Sequence, residues 1–127
     1  MFAIIAPSIS AQFRSVTLGQ LITGIKELGF SHVVEAALGA DMIAVSEALE
    51  LVEKEFLTTS CCPAFVNMVR KHYPELADCV STTISPMCAV SRLIKARDPE
   101  AVTVFIGPCL AKKSEVVDQK IPGNADY

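Results

Sequence analysis

Thr58-Thr59-Ser60-Cys61-Cys62-Pro63 sets two adjacent thiols where a strand-like run gives way to a helical one. Glu55 to Thr59 is rich in β-formers, whereas Phe65, Met68, Val69 and Tyr73 recur at helical spacing, so the apolar period changes from two to about 3.6. Pro63 suits a first helical position, whose N–H would be unpaired anyway. Cys62 then falls near an N-cap, and both sulfurs sit by unpaired N–H groups at the positive end of a helix dipole. That setting favours thiolate over thiol, and a thiolate there is a nucleophile or a metal ligand. A third thiol, Cys109, follows Gly107-Pro108, and Lys112 and Lys113 come just after it. Their ammonium groups can lower a thiol pKa and hold an anionic ligand; a plain basic turn is the alternative.

Soft thiolates from two separate loops, without His or carboxylate at ligand spacing, favour an iron-sulfur cluster or zinc. Adjacent cysteines can hardly both ligate one iron, so the chain is expected to supply fewer than four ligands. Inert buried thiols are the alternative on composition alone. A Cys-His nucleophile is the weaker reading, because His32 and His72 have no spacing relation to Cys61 that the sequence establishes.

The elements that must position these thiols alternate strand and helix. Phe2 to Ala6 is a continuous apolar run closed by Pro7, as for a strand buried on both faces. Thr17 and Gln20 form a capping box before Leu18, Leu21, Ile22, Ile25 and Leu28, with Gly29 as the stop. His32 to Ala36 is predicted as a second strand, Glu55 to Thr59 as another, and Ala101 to Ile106 as the clearest of all. Asp41 is expected to cap a helix running to about Glu53 with Met42, Val45, Leu49 and Val52 inward. Glu47, Glu50 and Lys54 then share one face of it, which for charges at this spacing reads first as a solvated stripe. Ser85-Pro86 repeats the cap-plus-proline device, with Met87, Val90, Leu93 and Ile94 inward.

The expected fold is α/β: three layers, an open, mostly parallel sheet of about four strands with helices on both faces. In such a sheet ligand-contacting residues gather beyond the carboxyl ends of the strands. Ala6-Pro7-Ser8, Cys61-Cys62 and Gly107-Pro108-Cys109 each follow a strand, so three of the five cysteines should converge on one edge. Cys79 and Cys88 fall on the helical connections, as small apolar residues.

The 127 residues suit one domain. A net charge of −3 with scattered basic residues argues against nucleic acid or an anionic membrane. No apolar run approaches the ~20 residues of a membrane span, and Met1-Phe2-Ala3 shows no basic leader. An odd cysteine count of five favours metal or catalytic thiols in a reducing cytoplasm over a secreted scaffold.

Thr59-Ser60-Cys61-Cys62-Pro63, Ser85-Pro86-Met87 and Pro108-Cys109-Leu110-Ala111-Lys112-Lys113-Ser114-Glu115, in this order and spacing, resemble the first two signature motifs of FeFe-hydrogenases. The Gly39-Ala40-Asp41 turn and Ala6-Pro7-Ser8 match as well. The resemblance implies the H-cluster, a 4Fe-4S cubane bridged through a cysteine to a di-iron unit carrying CO and cyanide. It also implies interconversion of protons and H2, with a ferredoxin-like electron carrier. Carried over residue by residue, Cys62 and Cys109 would be cubane ligands and Cys61 the thiol that passes protons. Lys112 would hydrogen-bond a cyanide, while Ala6, Pro7, Ser8 and Pro108 would line the cofactor pocket. The proton route would run through Glu47, Ser81, Glu50 and Lys54.

Three features depart from the family pattern. Its third cysteine motif is absent, so residues 1–127 are expected to be one lobe that joins a remaining lobe, inactive and without bound cluster alone, with Val116 to Tyr127 opening a continuation. Gly107 stands where catalytic members carry Met, and Ala64-Phe65 where they carry Gly-Trp. A hydrogen- or redox-sensing domain and a hydrogenase-like iron-sulfur assembly factor are the alternative functions.

Overall fold

A computed structural model describes residues 1–118 and 121–127. Three short parallel strands form the sheet: β1 (Phe2–Ile5), β2 (His32–Glu35) and β3 (Thr103–Ile106), in the order β2-β1-β3. Phe2 stands opposite both His32 and Thr103, so the three strands begin in register and their carboxyl ends lie together. Ala3, Ile4 and Ile5 of central β1 are almost fully buried, which is why that run carries no polar alternation.

Among the described residues, six α-helices accompany them: α1 (Ile9–Gln12), α2 (Leu18–Glu27), α3 (Ala36–Lys54), α4 (Pro63–His72), α5 (Pro86–Arg97) and α6 (Leu110–Val116), with a short 3-10 turn at Pro74–Cys79. Ala3 and Ile5 point to one face of the sheet and pack with Ile25 of α2, Leu21 and Phe30 around them. Ile4 points to the other face and packs with Ala36 of α3 and with Val90 and Ile94 of α5. Helices therefore cover both faces. The Thr17–Gln20 capping box forms as expected, and Gly29 ends α2 with φ 101°.

The fourth strand expected at Glu55–Thr59 is not an element. Only Thr58 makes a bridge, parallel to Val80, after Glu55 has left α3 at φ 62°. Instead the outer edge of β3 is met by Asp126 and Tyr127: Phe105 N–H donates to the Tyr127 carbonyl at 2.7 Å and Tyr127 N–H to the Thr103 carbonyl at 3.2 Å. Within the Val116–Tyr127 segment, Gln119 and Lys120 lie outside the described residues.

The second helix of the sequence reading also needs correction. It starts at Ala36, with Glu35 at the N-cap, so Gly39-Ala40-Asp41 is helical and Asp41 caps nothing. Its apolar stripe faces outward: Val45 is 65% exposed and Val52 82%, while Ala36, Gly39 and Ile43 are buried. Packing decides this orientation. Gly39 lets α3 approach α5 so closely that an added Cβ would strike the Pro86 carbonyl and lie 2.9 Å from Val90 Cγ2. Positions 47, 50 and 54 continue the inward face set by 36, 39 and 43. The carboxylates therefore point toward the 81–83 segment and are not a solvated stripe.

Candidate functional site

Pro63 opens α4 as expected and leaves Cys62 at its N-cap, extended at φ −108° and ψ 106°. Cys109 stands at the equivalent place before α6. α4 and α6 pack against each other, and Lys112 ties the two loops by donating from Nζ to the Cys61 carbonyl at 3.1 Å. The Ala6-Pro7-Ser8 turn joins them: Ala6 N–H donates to the Ile106 carbonyl at 2.9 Å, and Ala6 Cβ is 3.0 Å from where a Gly107 side chain would start. The predicted convergence at one rim is therefore what the chain adopts. Phe105 Cε1 lies only 2.7 Å from that same Cβ position, so a methionine at 107 would need the ring to move.

Cys61, Cys62 and Cys109 are all free and exposed; Cys88 is fully buried, and Cys79 lies in an apolar pocket with Phe56, Phe65 and Met68. Burial pushes the Cys88 thiol up. That separates three chemically available thiols from two structural ones. His32 stacks on Phe2 at 4.8 Å at the amino end of the strands, opposite the thiols. His72 closes α4, roughly 15 Å along the helix from its start. Neither His forms a Cys-His pair.

Among the described residues no three His, Cys, Asp or Glu side chains form a set that could hold a metal ion. The donors at the rim are soft thiols, the right chemistry for iron and sulfide, but fewer than the four a cubane takes. They fit such a group as part of its ligand set.

Beside the rim lies a connected polar cluster. Lys54 Nζ pairs with Glu50 Oε1 at 2.8 Å, and Ser81 Oγ donates to Glu50 Oε2 at 2.7 Å. The Lys54 ammonium, then the Ser81 hydroxyl and the Thr82 N–H, hold the Glu50 carboxyl down to about 2. Glu47 Oε1 accepts from the Ser60 N–H and from Thr83 Oγ1, both at 3.2 Å. Thr83 Oγ1 in turn is 2.9 Å from Ser81 Oγ. Cys61 Sγ contacts Thr59 Oγ1 at 3.1 Å. Lys112, besides the Cys61 carbonyl, pairs with buried Glu115 at 2.6 Å. A cavity of about 350 Å³ opens here, lined among others by Ser60, Pro63, Thr83 and Glu115.

The residues that the family resemblance assigned to the site fall in two adjoining groups: Ala6, Pro7, Ser8, Cys61, Cys62, Pro108, Cys109 and Lys112 on the turns at the rim, and Glu47, Ser81, Glu50 and Lys54 beside it. Sequence reasoning missed Thr83, and it included Ser60 and Glu115 in the motifs without giving either a role. The hydroxyl run Ser81-Thr82-Thr83 was the available signal, but it lies outside any helix or strand and so has no period to read.

Known proteins of two kinds resemble this chain, hydrogenases and an iron-sulfur assembly factor. It is 33% identical to iron hydrogenase 1 of Clostridium pasteurianum over 87% of its length and 23% of that protein. It is 36% identical to the periplasmic [Fe] hydrogenase large subunit of Nitratidesulfovibrio vulgaris, over 80% of this chain and 28% of that one. A cytosolic Fe-S cluster assembly factor, NAR1 of Candida dubliniensis, is 28% identical over 79% of the chain and 19% of its own length. A solved structure of FeFe-hydrogenase HydA1 from Chlamydomonas reinhardtii superposes with a TM-score of 0.83 at 26% identity, covering 99% of this chain and 39% of that one. The chain spans about a quarter of the length of the two hydrogenases. The family described as iron only hydrogenase large subunit, C-terminal domain, matches residues 1–127, with the thiol rim at the carboxyl ends of the strands inside the match; the chain belongs to that family.

Proposed function

We propose that the chain is the lobe of an FeFe-hydrogenase H-cluster domain that carries two of the cubane cysteines and the proton route. The observation that supports this best is the adjacency of the thiol rim and the polar cluster, since a redox site that consumes protons needs both. Cys62 and Cys109 would hold the 4Fe-4S cubane, and the remaining lobe would supply the other ligands. When bound, the H-cluster would supply the redox chemistry that interconverts protons and H2.

In this reading each side chain takes a role that its placement supports. Cys61 Sγ holds a proton at the rim, and Ala6, Pro7, Ser8 and Pro108 shape the wall that excludes water. Lys112 offers a cation to an anionic iron ligand; its present partner Glu115 keeps that ammonium in place. Glu47, Ser81 and Glu50 pass a proton between hydrogen-bonded oxygens, and Lys54 holds the outer carboxylate at the surface. In this reading a ferredoxin-like carrier supplies electrons, the lobe alone is inactive, and the setting is the cytoplasm. Among the described residues no helix is long and apolar enough to cross a membrane.

The second reading is an iron-sulfur assembly factor, favoured by the likeness to NAR1. Anaerobic maturation of the full-length protein separates the two. Infrared bands of iron-bound CO and cyanide, with H2 evolution from a reduced donor, are expected. A cubane without those bands would leave the assembly factor.

A further inference from the structure

We propose that Thr83 is a relay link of the proton route, standing between Glu47 and Ser81, and that it transmits toward Glu50 only when Glu47 carries the proton. The inference rests on the proton-route reading and goes beyond it by adding a residue and a direction.

The geometry leaves little freedom. A hydroxyl has one proton to donate and two lone pairs. Ser81 Oγ donates its proton to the Glu50 carboxylate at 2.7 Å, and accepts from the Thr83 N–H at 3.1 Å. The 2.9 Å contact between Ser81 Oγ and Thr83 Oγ1 therefore needs the proton of Thr83. Ser60 is no donor to Thr83 Oγ1, because its own proton goes to the Thr83 carbonyl at 2.6 Å; its oxygen, 2.9 Å from Thr83 Oγ1, can only accept there.

Two states follow. With Glu47 and Glu50 both ionised, Thr83 turns its proton to Glu47 Oε1 at 3.2 Å and Ser81 turns its own to Glu50, so no proton lies between Thr83 and Ser81. With Glu47 protonated, its O–H donates to Thr83, Thr83 to Ser81 and Ser81 to Glu50, all in one sense. A concerted shift then breaks the O–H of Glu47, exchanges one proton at each hydroxyl and forms the O–H of Glu50. The net change is a proton moved from Glu47 to Glu50. Transfer in the other sense uses the same links with every hydroxyl reversed, starting from protonated Glu50.

The test uses the full-length protein with Thr83→Val, which keeps the shape and removes the hydroxyl, Thr83→Ser, which restores it, and Ser81→Ala. H2 turnover of the matured protein should fall by about a hundredfold in T83V and S81A, the scale of a lost proton-transfer group, and T83S should recover it. In the metal-free protein the carboxylate stretch of Glu47, assigned by its loss in Glu47→Gln, should shift in T83V and return in T83S. Wild-type turnover in T83V with S81A impaired would overturn the Thr83 link and leave the route standing. Wild-type turnover in both would overturn the route itself. An unmoved Glu47 band in T83V would overturn the link whatever the turnover.

Discussion

Gly39→Ala tests whether the close approach of α3 to α5 positions the polar cluster. In an ordinary helix interior the change stabilises by ~0.5–1 kcal/mol, and Gly24 in α2, with nothing near its Cβ position, is the matched control. At Gly39 the new methyl would lie 2.9 Å from Val90 Cγ2 and strike the Pro86 carbonyl, which is backbone and cannot rotate away. Restoring the usual 3.5–4.0 Å contact needs a shift of roughly 0.5–1 Å. The Glu47–Thr83 bond is already 3.2 Å long, so the same shift carries it out of hydrogen-bond range. Overpacking of this kind costs ~1–3 kcal/mol, or ~4–10 °C in Tm for a domain this size. Thermal unfolding should show G24A up and G39A down, and G39A should shift the Glu47 carboxylate band in the same sense as T83V. A G39A variant as stable as G24A would refute the argument that α3 is seated by that contact.

Three further outcomes follow from the same packing and charges. The outward stripe of α3 predicts that Ile43→Ala costs ~2–4 kcal/mol while Val52→Ala stays within ~0.5 kcal/mol; comparable losses in denaturant titration would restore the inward reading of Val52. The folded Glu50 carboxyl sits at about 2 against an ordinary 4.5. Its contribution is therefore fully present above 4.5 and lost as pH falls toward 2. Lys54→Met removes the largest cause, raises the Glu50 pKa and flattens that part of the acid-unfolding profile; an unchanged slope would contradict the pairing. Gly107→Met should destabilise by ~1–3 kcal/mol through the Phe105 ring, and Phe105→Leu should relieve part of it in the double variant; a neutral G107M would show that the ring yields freely.

The sequence carried the sheet and the rim because their signals are local. An unbroken apolar run marks β1, and Pro63 and Pro86 mark helix starts that tolerate no other reading of the backbone. The orientation of α3 was not local. Its apolar stripe and its charged stripe are equally periodic, and only the Gly39–Pro86 approach, a contact between distant residues, decides which one turns in. The strand expected at Glu55–Thr59 failed because β-propensity without a neighbouring edge gives no ladder, and there only Thr58 finds a partner. Thr83 escaped notice for a related reason: a hydroxyl in irregular backbone acquires meaning only from what the tertiary structure sets beside it.

The most direct measurement of the central claim is iron and sulfide content, with the electron paramagnetic resonance of the reduced cluster, in the full-length protein carrying Cys62→Ser, Cys109→Ser or Cys88→Ser. The account predicts that the first two each lose the rim cluster and that C88S keeps it. A cluster that survives both C62S and C109S, or that is lost with C88S alone in a folded protein, would contradict it.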